Sequence, residues 1–383
     1  MGTIFLTGIT GLVGSAFVTT LLQEYDRKII ALVRGNAQQS AQERVETIIK
    51  EQCEFDGVSG VEEQVLKNVI VIDGDVADLD VDKLIAENDL SEVDTVFHCA
   101  ADVNLGKDPK GQTYHTNHQG TMNMVELGKK LDVKEFHYVS TAYTAGKTEG
   151  VAYEKEQTIT EFNNAYEKSK CEGEKLVRNC GIPFTIYRPS IIVGRRSDGK
   201  IRKPLAFYRI LEFFAKMKKH QSGKNNVDPC GWLEMPFRFE TYPSENIYFV
   251  PIDYVQDCIY KLFPKKVENK TYHLTGNSPV SIYDIVALVS ETLRIRGVDV
   301  LEKIENPTAE EKLMGRMVGD LLPYFSSKII FDQTNIVEAL GEDIIAWDFD
   351  RKNLDDMMTS FFVDFFPNVE WLQKLHASRK LES

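Results

Sequence analysis

The fold of this chain is decided near its start, by the stretch Thr3-Ile4-Phe5-Leu6-Thr7-Gly8-Ile9-Thr10-Gly11-Leu12-Val13-Gly14. The apolar run 3–6 predicts a buried strand, and apolar residues at helical spacing follow from 12 to 22. Between them, glycines form the tight turn that joins strand to helix in dinucleotide-binding folds. Gly8 permits the turn, Gly11 lets a pyrophosphate approach the helix N-terminus, and Gly14 lets helix and strand pack closely.

A glycine-rich turn without a ligand is the alternative interpretation, but the strand–turn–helix context favours a binding loop. We therefore expect the cofactor to be bound here by Thr7, Gly8, Thr10, Gly11, Leu12, Val13 and Gly14.

The first half of the chain alternates short apolar runs with helical stretches. The predicted strands are 3–6, 28–33, 69–72, 95–99, 135–139 and 184–188. Strands that alternate with helices favour right-handed crossovers and a parallel sheet covered on both faces. We predict an α/β fold, a Rossmann-like doubly wound parallel sheet with a smaller C-terminal mixed α/β substrate domain. A long loop is expected after the second helix, beyond the turn-like 57–60.

The alternation ends near Val193, which predicts a domain boundary. We assign 1–192 to an NAD(P)-binding Rossmann domain, to which 246–275 is expected to return. The substrate-binding region is expected to be interleaved with it over 193–383. Within that region, 220–245 has no clear period.

Composition and charge exclude several functional classes. The chain of 383 residues has 45 Lys+Arg and 58 Asp+Glu, a net charge of -13 that disfavours nucleic-acid binding. No apolar run approaches the roughly 20 residues that cross a bilayer, and the N-terminal stretch lacks the basic region of a signal peptide. The six cysteines and seven histidines show no metal-binding spacing. We expect a cytoplasmic protein without a metal site.

Arg34 follows the second predicted strand, the position at which dinucleotide-binding proteins choose between NAD and NADP. A guanidinium there would bind a 2′-phosphate, and no carboxylate follows the strand to repel that group. The sequence therefore favours NADPH over NADH, with a solvated surface arginine as the alternative. Asp75 and Val76 follow the third strand, where a carboxylate can accept the adenine amino group, although an exposed turn aspartate would have the same sequence.

Tyr166 and Lys170 stand four residues apart on one face of a predicted helix. An ammonium beside a phenol lowers the phenol pKa, and such a pair can exchange a proton with a carbonyl oxygen during hydride transfer. This spacing is common by chance, but here the helix follows the fifth strand of a nucleotide-binding sheet. That strand ends at Ser140 and Thr141, where ligands bind in open parallel sheets. Thr141 is expected to hydrogen-bond the substrate oxygen, and Ser140 is the competing candidate on the opposite side of the strand.

From the glycine loop through Tyr-x-x-x-Lys, the chain resembles the extended short-chain dehydrogenase/reductase family over about its first 290 residues. Further motifs that carry the resemblance are His98-Cys99-Ala100-Ala101 after the fourth strand, Asn117 in the stretch 117–121, Arg188-Pro189-Ser190 after the sixth strand, and the stretch 249–255. By this resemblance, the remaining cofactor contacts are expected from Cys99, Ala100, Ala101, Asn117, Tyr166, Lys170, Pro189, Ser190 and Ile191.

Three stretches, at 32–34, 97–104 and 137–141, resemble the branch of thioester reductases and fatty acyl reductases with a male-sterility-type NAD-binding domain. The resemblance implies that Thr141 is the hydroxyl partner, Tyr166 the proton donor and Lys170 its activator. It also implies reduction of acyl thioesters, on CoA or on an acyl carrier protein, to aldehydes or alcohols. The substrate is thus expected to be a small-molecule acyl thioester or another carbonyl compound.

Three other functions remain open at this point. A nucleotide-sugar epimerase or dehydratase would keep the fold but retain NAD, and Arg34 counts against it. Another carbonyl reductase of the extended family is a related possibility. A non-enzymatic NADPH sensor or scaffold is the third reading, and the intact Thr141, Tyr166 and Lys170 set counts against it. A basic cluster at 195–203 could meet phosphates or an acidic carrier, or be a solvated loop.

Overall fold

The computed structural model describes residues 2–382, with no description of the side chains from 379 onward. Its strands are β1 Thr3–Thr7, β2 Ile29–Val33, β3 Val69–Asp73, β4 Val93–His98, β5 Glu135–Val139, β6 Gly150–Ala152, β7 Phe184–Pro189, β8 Ile191–Val193, β9 Leu233–Glu240, β10 Phe249–Pro251, β11 Lys270–Leu274, β12 Ile295–Leu301 and β13 Ile329–Phe331. Its α-helices are α1 Leu12–Glu24, α2 Ala41–Asp56, α3 Glu62–Lys67, α4 Val81–Glu87, α5 Gln112–Lys130, α6 Ala165–Arg178, α7 Tyr208–Asn225, α8 Ile252–Leu262, α9 Ile282–Thr292, α10 Ala309–Val318, α11 Leu322–Phe325, α12 Thr334–Leu340, α13 Arg351–Phe365 and α14 Glu370–Glu382.

Seven strands form one parallel sheet in the order β11-β7-β5-β4-β1-β2-β3. The chain builds outward from β1 in one direction and then from β4 in the other. This arrangement confirms the predicted doubly wound fold. Because the direction of winding changes between β1 and β4, the loops at their carboxyl ends diverge and open a crevice where ligands bind in such sheets.

Both faces of the sheet are covered by helices, because its strands carry apolar side chains on both sides. On one face, Phe5, Val96 and Phe136 pack in a core cluster with residues of α4, α5 and α6. On the other face, Phe17 of α1 stacks on Phe97 with ring centroids 4.2 Å apart. This two-sided burial fixes β1, β4 and β5, and so the strand ends that carry the candidate site.

The chain divides into two units by its internal contacts. The first comprises 1–190, 255–275 and 331–344, and the second comprises 191–254, 276–330 and 345–383. The expected return segment 246–275 thus contributes only its part from 255 onward to the first unit, which also includes 331–344. The functional roles assigned to the two regions remain predictions.

The second unit contains two small parallel pairs of strands, β8 with β10 and β9 with β12. Strand β9 lies in the stretch 220–245, in which the sequence shows no clear period, and its side chains alternate between buried and exposed. Pro236 conceals the strand in the sequence, and it is tolerated because β9 belongs to a sheet of two edge strands. The expectation of a long loop after α2 is also wrong, since the six-residue helix α3 begins at Glu62.

Within residues 2–382, no helix combines the length and apolarity needed to span a membrane. The same part of the chain holds no cluster of three histidine, cysteine or acidic side chains suited to a metal ion.

Candidate active site

The glycine turn between β1 and α1 is crowded by backbone. Gly8 has φ +84°, and a Cβ there would lie 2.6 Å from the amide nitrogen of Ala100. A Cβ at Gly14 would lie 2.2 Å from the Gly8 carbonyl oxygen. Gly11 caps α1, and its amide donates to the Gly8 carbonyl oxygen at 2.9 Å. Glycine is therefore required for the turn and for the close approach of the helix, as the sequence predicted.

Thr7 connects the carboxyl ends of β1 and β4. Its hydroxyl lies 2.7 Å from Nδ1 of His98 and accepts the Ala100 amide at 3.2 Å. Its carbonyl oxygen accepts the Cys99 amide at 3.2 Å. The Thr7 side chain is fully buried, so it stabilises the crevice from beneath. Burial, with the nearby Lys170 charge, holds the pKa of His98 well below its usual range, so this imidazole adds no charge.

The site has features that fit a dinucleotide. The first turn of α1 offers backbone N–H groups beside a turn without side chains, which is the arrangement that holds a pyrophosphate. The Ser190 hydroxyl is buried and, among the described residues, has no hydrogen-bond partner. Thr10, Val13, Ala100 and Ala101 are partly exposed around the turn, whereas Leu12 is buried. The residues present therefore suit the predicted cofactor.

Arg34 lies beside carboxylates that the sequence did not place there. Its Nη1 is 2.5 Å from Oδ2 of Asp75, and the Gly35 amide donates to Oδ1 of Asp73 at 3.1 Å. The expectation that no carboxylate stands at this position is therefore wrong, because β3 lies next to β2 and brings its own acidic residues. Sequence reasoning also missed Arg44 of α2, whose guanidinium donates to the Arg34 carbonyl oxygen. Arg44 lies ten residues after Arg34, and no sequence pattern links two residues at that distance.

Thr141 and Tyr166 come together at the end of β5. Thr141 caps a short 3-10 helix by accepting the Tyr143 amide at 3.3 Å, and its hydroxyl lies 3.5 Å from the Pro189 carbonyl oxygen. The side chains of Thr141 and Tyr166 are hydrogen-bonded to each other. Ser140 faces the other way and donates to Oε1 of Glu174 at 2.6 Å. The predicted alternation of the two hydroxyls is therefore seen.

Lys170 lies beneath this pair, 1% exposed. Its Nζ donates to the Val139 carbonyl oxygen at 2.7 Å and sits 4.0 Å from the ring centre of Tyr138. Burial lowers the pKa of the Lys170 ammonium to about 8, against the opposing effects of Cys99 and Glu174. The pKa of Tyr166 is raised, chiefly by burial, with the hydrogen bond from Thr141 acting in the opposite direction. The expected lowering of this pKa by Lys170 is therefore wrong for the protein alone.

Two of the residues predicted to bind the cofactor make hydrogen bonds within the protein. Asn117 is buried, accepts the Asp102 amide at 2.7 Å, and donates to the Asp102 carbonyl oxygen and to Ser169, each at 3.0 Å. Val76 is buried, and its carbonyl oxygen accepts from Asn123 at 2.8 Å. These contacts hold the loops after β3 and β4 in place.

Three further residues predicted to bind the cofactor, Cys99, Ser190 and Ile191, lie in different parts of the fold. Burial raises the pKa of the Cys99 thiol to about 11, which keeps it protonated. Ser190 donates its amide to Leu274 at 3.3 Å in the first unit. Ile191 begins β8 in the second unit, where its amide donates to the Tyr248 carbonyl oxygen at 3.2 Å.

The basic cluster at 195–203 is partly neutralised. Arg195 pairs with Asp198 at 2.6 Å and Arg196 with Asp253 at 3.1 Å. These ion pairs favour the interpretation of this stretch as an ordinary surface loop of the second unit.

Comparison with known proteins identifies the family of this chain. A family model described as male sterility protein matches residues 6–259. A nonribosomal peptide synthetase of Aspergillus flavus is 25% identical over 303 residues, 74% of this chain and 27% of that protein. A carboxylic acid reductase of Segniliparus rugosus is 27% identical over 229 residues, 55% of this chain and 19% of that protein. The chain spans less than a third of the length of both relatives.

Solved structures share the fold. The terminal R domain of the myxalamid PKS-NRPS biosynthetic pathway superposes with a TM-score of 0.73 at 21% identity, over 96% of this chain and 92% of that one. UDP-glucuronic acid 4-epimerase from Bacillus cereus, in complex with NAD, gives 0.59 at 16% identity, over 96% and 99%. Both likenesses confirm the predicted fold class, and neither decides the substrate.

Proposed function

The chain belongs to the male sterility protein family, and we propose that it is an NADPH-dependent reductase of acyl thioesters. It is thus an NAD(P)-dependent oxidoreductase of the extended short-chain dehydrogenase/reductase type, and we propose its substrate and its product. The observation that carries the proposal is the hydrogen-bonded pair of Thr141 and Tyr166 at the end of β5, with Lys170 one helical turn further on.

The proposed reaction converts a thioester, NADPH and a proton into an aldehyde, a free thiol and NADP⁺. When bound, the nicotinamide cofactor would supply the hydride that reduces the carbonyl carbon. Thr141 and Tyr166 are assigned to hold the carbonyl oxygen, which gains negative charge as the carbon is reduced. The resulting hemithioacetal then loses the thiol to give the aldehyde.

Tyr166 is assigned the proton transfer to this oxygen. The reductive direction needs a protonated phenol, and the raised pKa of Tyr166 keeps the phenol protonated at neutral pH. A bound oxidised nicotinamide and the Lys170 ammonium would both stabilise the phenolate that remains after transfer. Lys170 is therefore assigned to hold positive charge under the site, where its contact with Val139 fixes the Nζ position.

The preference for NADPH rests on two guanidinium groups near the end of β2. Arg34 is 69% exposed on its side chain and free to leave Asp75 for a stronger anion. Arg44 contacts the backbone of Arg34 and brings a second positive charge to the same place. A 2′-phosphate carries more negative charge than a carboxylate, so we assign it to this pair.

The relatives named a carboxylic acid reductase and a nonribosomal peptide synthetase support an acyl group as the substrate class. A putative fatty acyl-CoA reductase of Drosophila melanogaster, 27% identical over 228 residues, supports the same class. We propose a thioester of CoA or of an acyl carrier protein, bound through the region 193–383, with 1–192 and the returning segment holding the cofactor. Reduction to the aldehyde is the first step in either case.

The test is NADPH oxidation with acyl-CoAs from acetyl to palmitoyl, and with the same acyl groups on pantetheine, in parallel with UDP-sugars. The proposal expects oxidation of NADPH with at least one thioester and release of a thiol. Conversion of a UDP-sugar without net change in NADPH, and inertness toward all thioesters, would assign the protein to the epimerase and dehydratase class instead.

A further inference from the structure

Helix α6 carries a third polar residue on the face of Tyr166 and Lys170. Glu174 follows Lys170 by four residues, so the three side chains lie on one side of the helix. Glu174 is 2% exposed. A buried carboxylate is unfavourable unless its charge and its lone pairs are satisfied, so its partners define what it does.

Two residues of the sheet region donate hydrogen bonds to the Glu174 carboxylate. Ser140, directly after β5, donates to Oε1 at 2.6 Å. Arg188 of β7 donates through Nε to Oε1 at 2.8 Å and through Nη2 to Oε2 at 2.6 Å. This two-pronged contact is the strongest geometry for a guanidinium and a carboxylate. Arg178 adds a more distant positive charge, 3.6 Å away.

Arg188 is completely buried and extends the connection to the chain before α6. It donates through Nη2 to the Lys155 carbonyl oxygen at 2.9 Å and through Nη1 to the Tyr153 carbonyl oxygen at 3.2 Å. Its Nη1 also lies 3.3 Å from Nε2 of His273. Glu174 therefore joins α6 to a rigid anchor in the sheet.

Two tethers now run from α6 to the end of β5. Lys170 contacts the carbonyl oxygen of Val139, and Glu174 contacts the hydroxyl of Ser140. Thr141 is the next residue of the strand. We propose that Glu174 is a positioning residue, which through Ser140 and Arg188 sets the distance between the Tyr166–Lys170 face of α6 and Thr141. This inference rests on the proposed function, because it assigns a catalytic purpose to that distance.

The charge of Glu174 has a second effect on the same face. The titratable groups near Lys170 are His98 of β4, Cys99 directly after β4, Tyr138 of β5 and Glu174 of α6. Among them, Glu174 raises the pKa of the Lys170 ammonium, against the larger lowering by burial. Replacing the carboxylate with an amide removes this stabilisation, so Lys170 loses its proton at lower pH.

The experiment uses three variants of the full chain. Glu174→Gln keeps the shape and removes the charge. Ser140→Ala removes one tether and keeps the charge, so it leaves no buried cation without a partner. Glu172→Gln is the matched control, because Glu172 lies on the same helix but bonds Tyr114. Kinetics with NADPH and the best thioester of the acyl-CoA and pantetheine panel are measured across pH.

Both Glu174→Gln and Ser140→Ala are expected to lower kcat, by about 10- to 100-fold, as for a catalytic group displaced by up to about 1 Å. KM for NADPH should stay unchanged, because neither residue lies at the glycine turn. Glu174→Gln should also move the alkaline fall of kcat to lower pH, and Ser140→Ala should not. Glu172→Gln should match the parent protein in both respects.

A second measurement does not depend on turnover. In protein with ¹³C-labelled lysine and no cofactor, the Lys170 resonance is assigned by its loss in Lys170→Arg and titrated. Its midpoint is expected near 8 in the parent and at lower pH in Glu174→Gln. If Glu174→Gln does not fold, Ser140→Ala with unchanged kcat, or with KM raised and kcat retained, overturns the inference.

The two proposals fail differently. Normal kcat and an unmoved pH profile in Glu174→Gln, with activity lost in Tyr166→Phe, would reject the positioning role alone. Full activity in Tyr166→Phe would reject the proposed mechanism. In that case the lysine titration and the kcat of Ser140→Ala still decide whether Glu174 controls this face of α6.

Discussion

At the scale of single residues, two adjacent hydroxyl groups after β5 have separate partners. Thr141 bonds Tyr166, and Ser140 bonds a buried carboxylate. Strand alternation made this separation predictable from sequence. The consequence for Ser140 was not predictable, because Glu174 is 34 residues away and only the packing of α6 brings it there. Ser140 is therefore unsuitable as a neutral control for Thr141.

Tyr166→Phe is expected to lower the rate by about 10²- to 10⁴-fold, since it removes general acid catalysis and keeps the ring. NADPH binding, measured by fluorescence titration, should change little. Near-normal turnover on a thioester would remove Tyr166 from the mechanism.

Thr141→Val keeps the branched shape and deletes the hydroxyl that we assign to the substrate oxygen. The rate is expected to fall by about 10²- to 10³-fold, the usual effect of losing one oxyanion donor. Thr144→Val is the matched control, because its buried hydroxyl has no partner among the described residues. Equal losses in both variants would indicate a structural cause.

Arg34→Ala is expected to weaken NADPH binding by about 1.5 kcal/mol, roughly tenfold in Kd, at the low end for a bond to a charged group because the side chain is exposed. NADH binding, measured by the same titration, should be unaffected. Parallel losses for both cofactors would refute the 2′-phosphate assignment.

At the scale of elements, the sequence predicted those strands, helices and turns whose residue pattern is set by neighbours close in the chain. The glycine turn was predictable because Gly8 has a positive φ and Gly14 lies against the Gly8 carbonyl oxygen, both of which are local features, whereas the contact between Gly8 and Ala100 depends on the neighbouring strand β4. Strand β9 and helix α3 were not, because Pro236 and the glycines at 57 and 60 are read locally as breaks. Strand β9 forms despite Pro236 because it pairs with β12. Helix α3 packs against α1 and α2, which its own sequence does not indicate.

Gly14→Ala tests the turn as an element. A Cβ there would overlap the Gly8 carbonyl oxygen, and the backbone on both sides leaves no flexible side chain to move. We expect a loss of about 1–3 kcal/mol in stability, as for an overpacked core, together with weaker NADPH binding. Thermal melts should record it.

Gly223→Ala is the control for this substitution. Gly223 lies in α7, and a Cβ there would meet no atom within 4 Å apart from the adjacent backbone of its own helix. Alanine is also the better helix former, so stability should rise slightly or stay constant. A melt of Gly14→Ala that matches the parent would contradict the steric argument.

At the scale of the whole molecule, the first unit is assembled from three stretches of chain that one carboxylate joins. Glu154, 6% exposed, accepts the His273 amide at 2.6 Å and also the Asn335 amide. No local pattern in the sequence marks this contact, and for that reason the segment 331–344 was not assigned to the unit.

Glu154 also makes stability depend on pH. Burial raises the pKa of this carboxyl to about 7, against the effect of its backbone hydrogen bonds. The folded protein therefore holds a proton that the unfolded chain has lost, and this contribution to stability is present below about pH 4.5 and lost as pH rises toward 7.

Relative to Glu154→Gln, the parent should accordingly lose stability between about pH 5 and pH 8, by at most on the order of 3 kcal/mol. The comparison between the two proteins cancels groups of opposite sign, such as His273, whose pKa burial lowers to about 3. Melts at several pH values measure the difference. A difference that is constant with pH, or that grows in the parent's favour, would contradict the assignment.

Hydride transfer from NADPH to the carbonyl carbon of an acyl thioester is the activity that we propose for this protein. The most direct measurement supplies NADPH deuterated at the transferred position and analyses the product by mass spectrometry, with thiol release followed in parallel. We expect one deuterium on the aldehyde carbon and one free thiol for each aldehyde formed. Thioester consumption without deuterium in the product, or deuterium found only in a sugar, would contradict it.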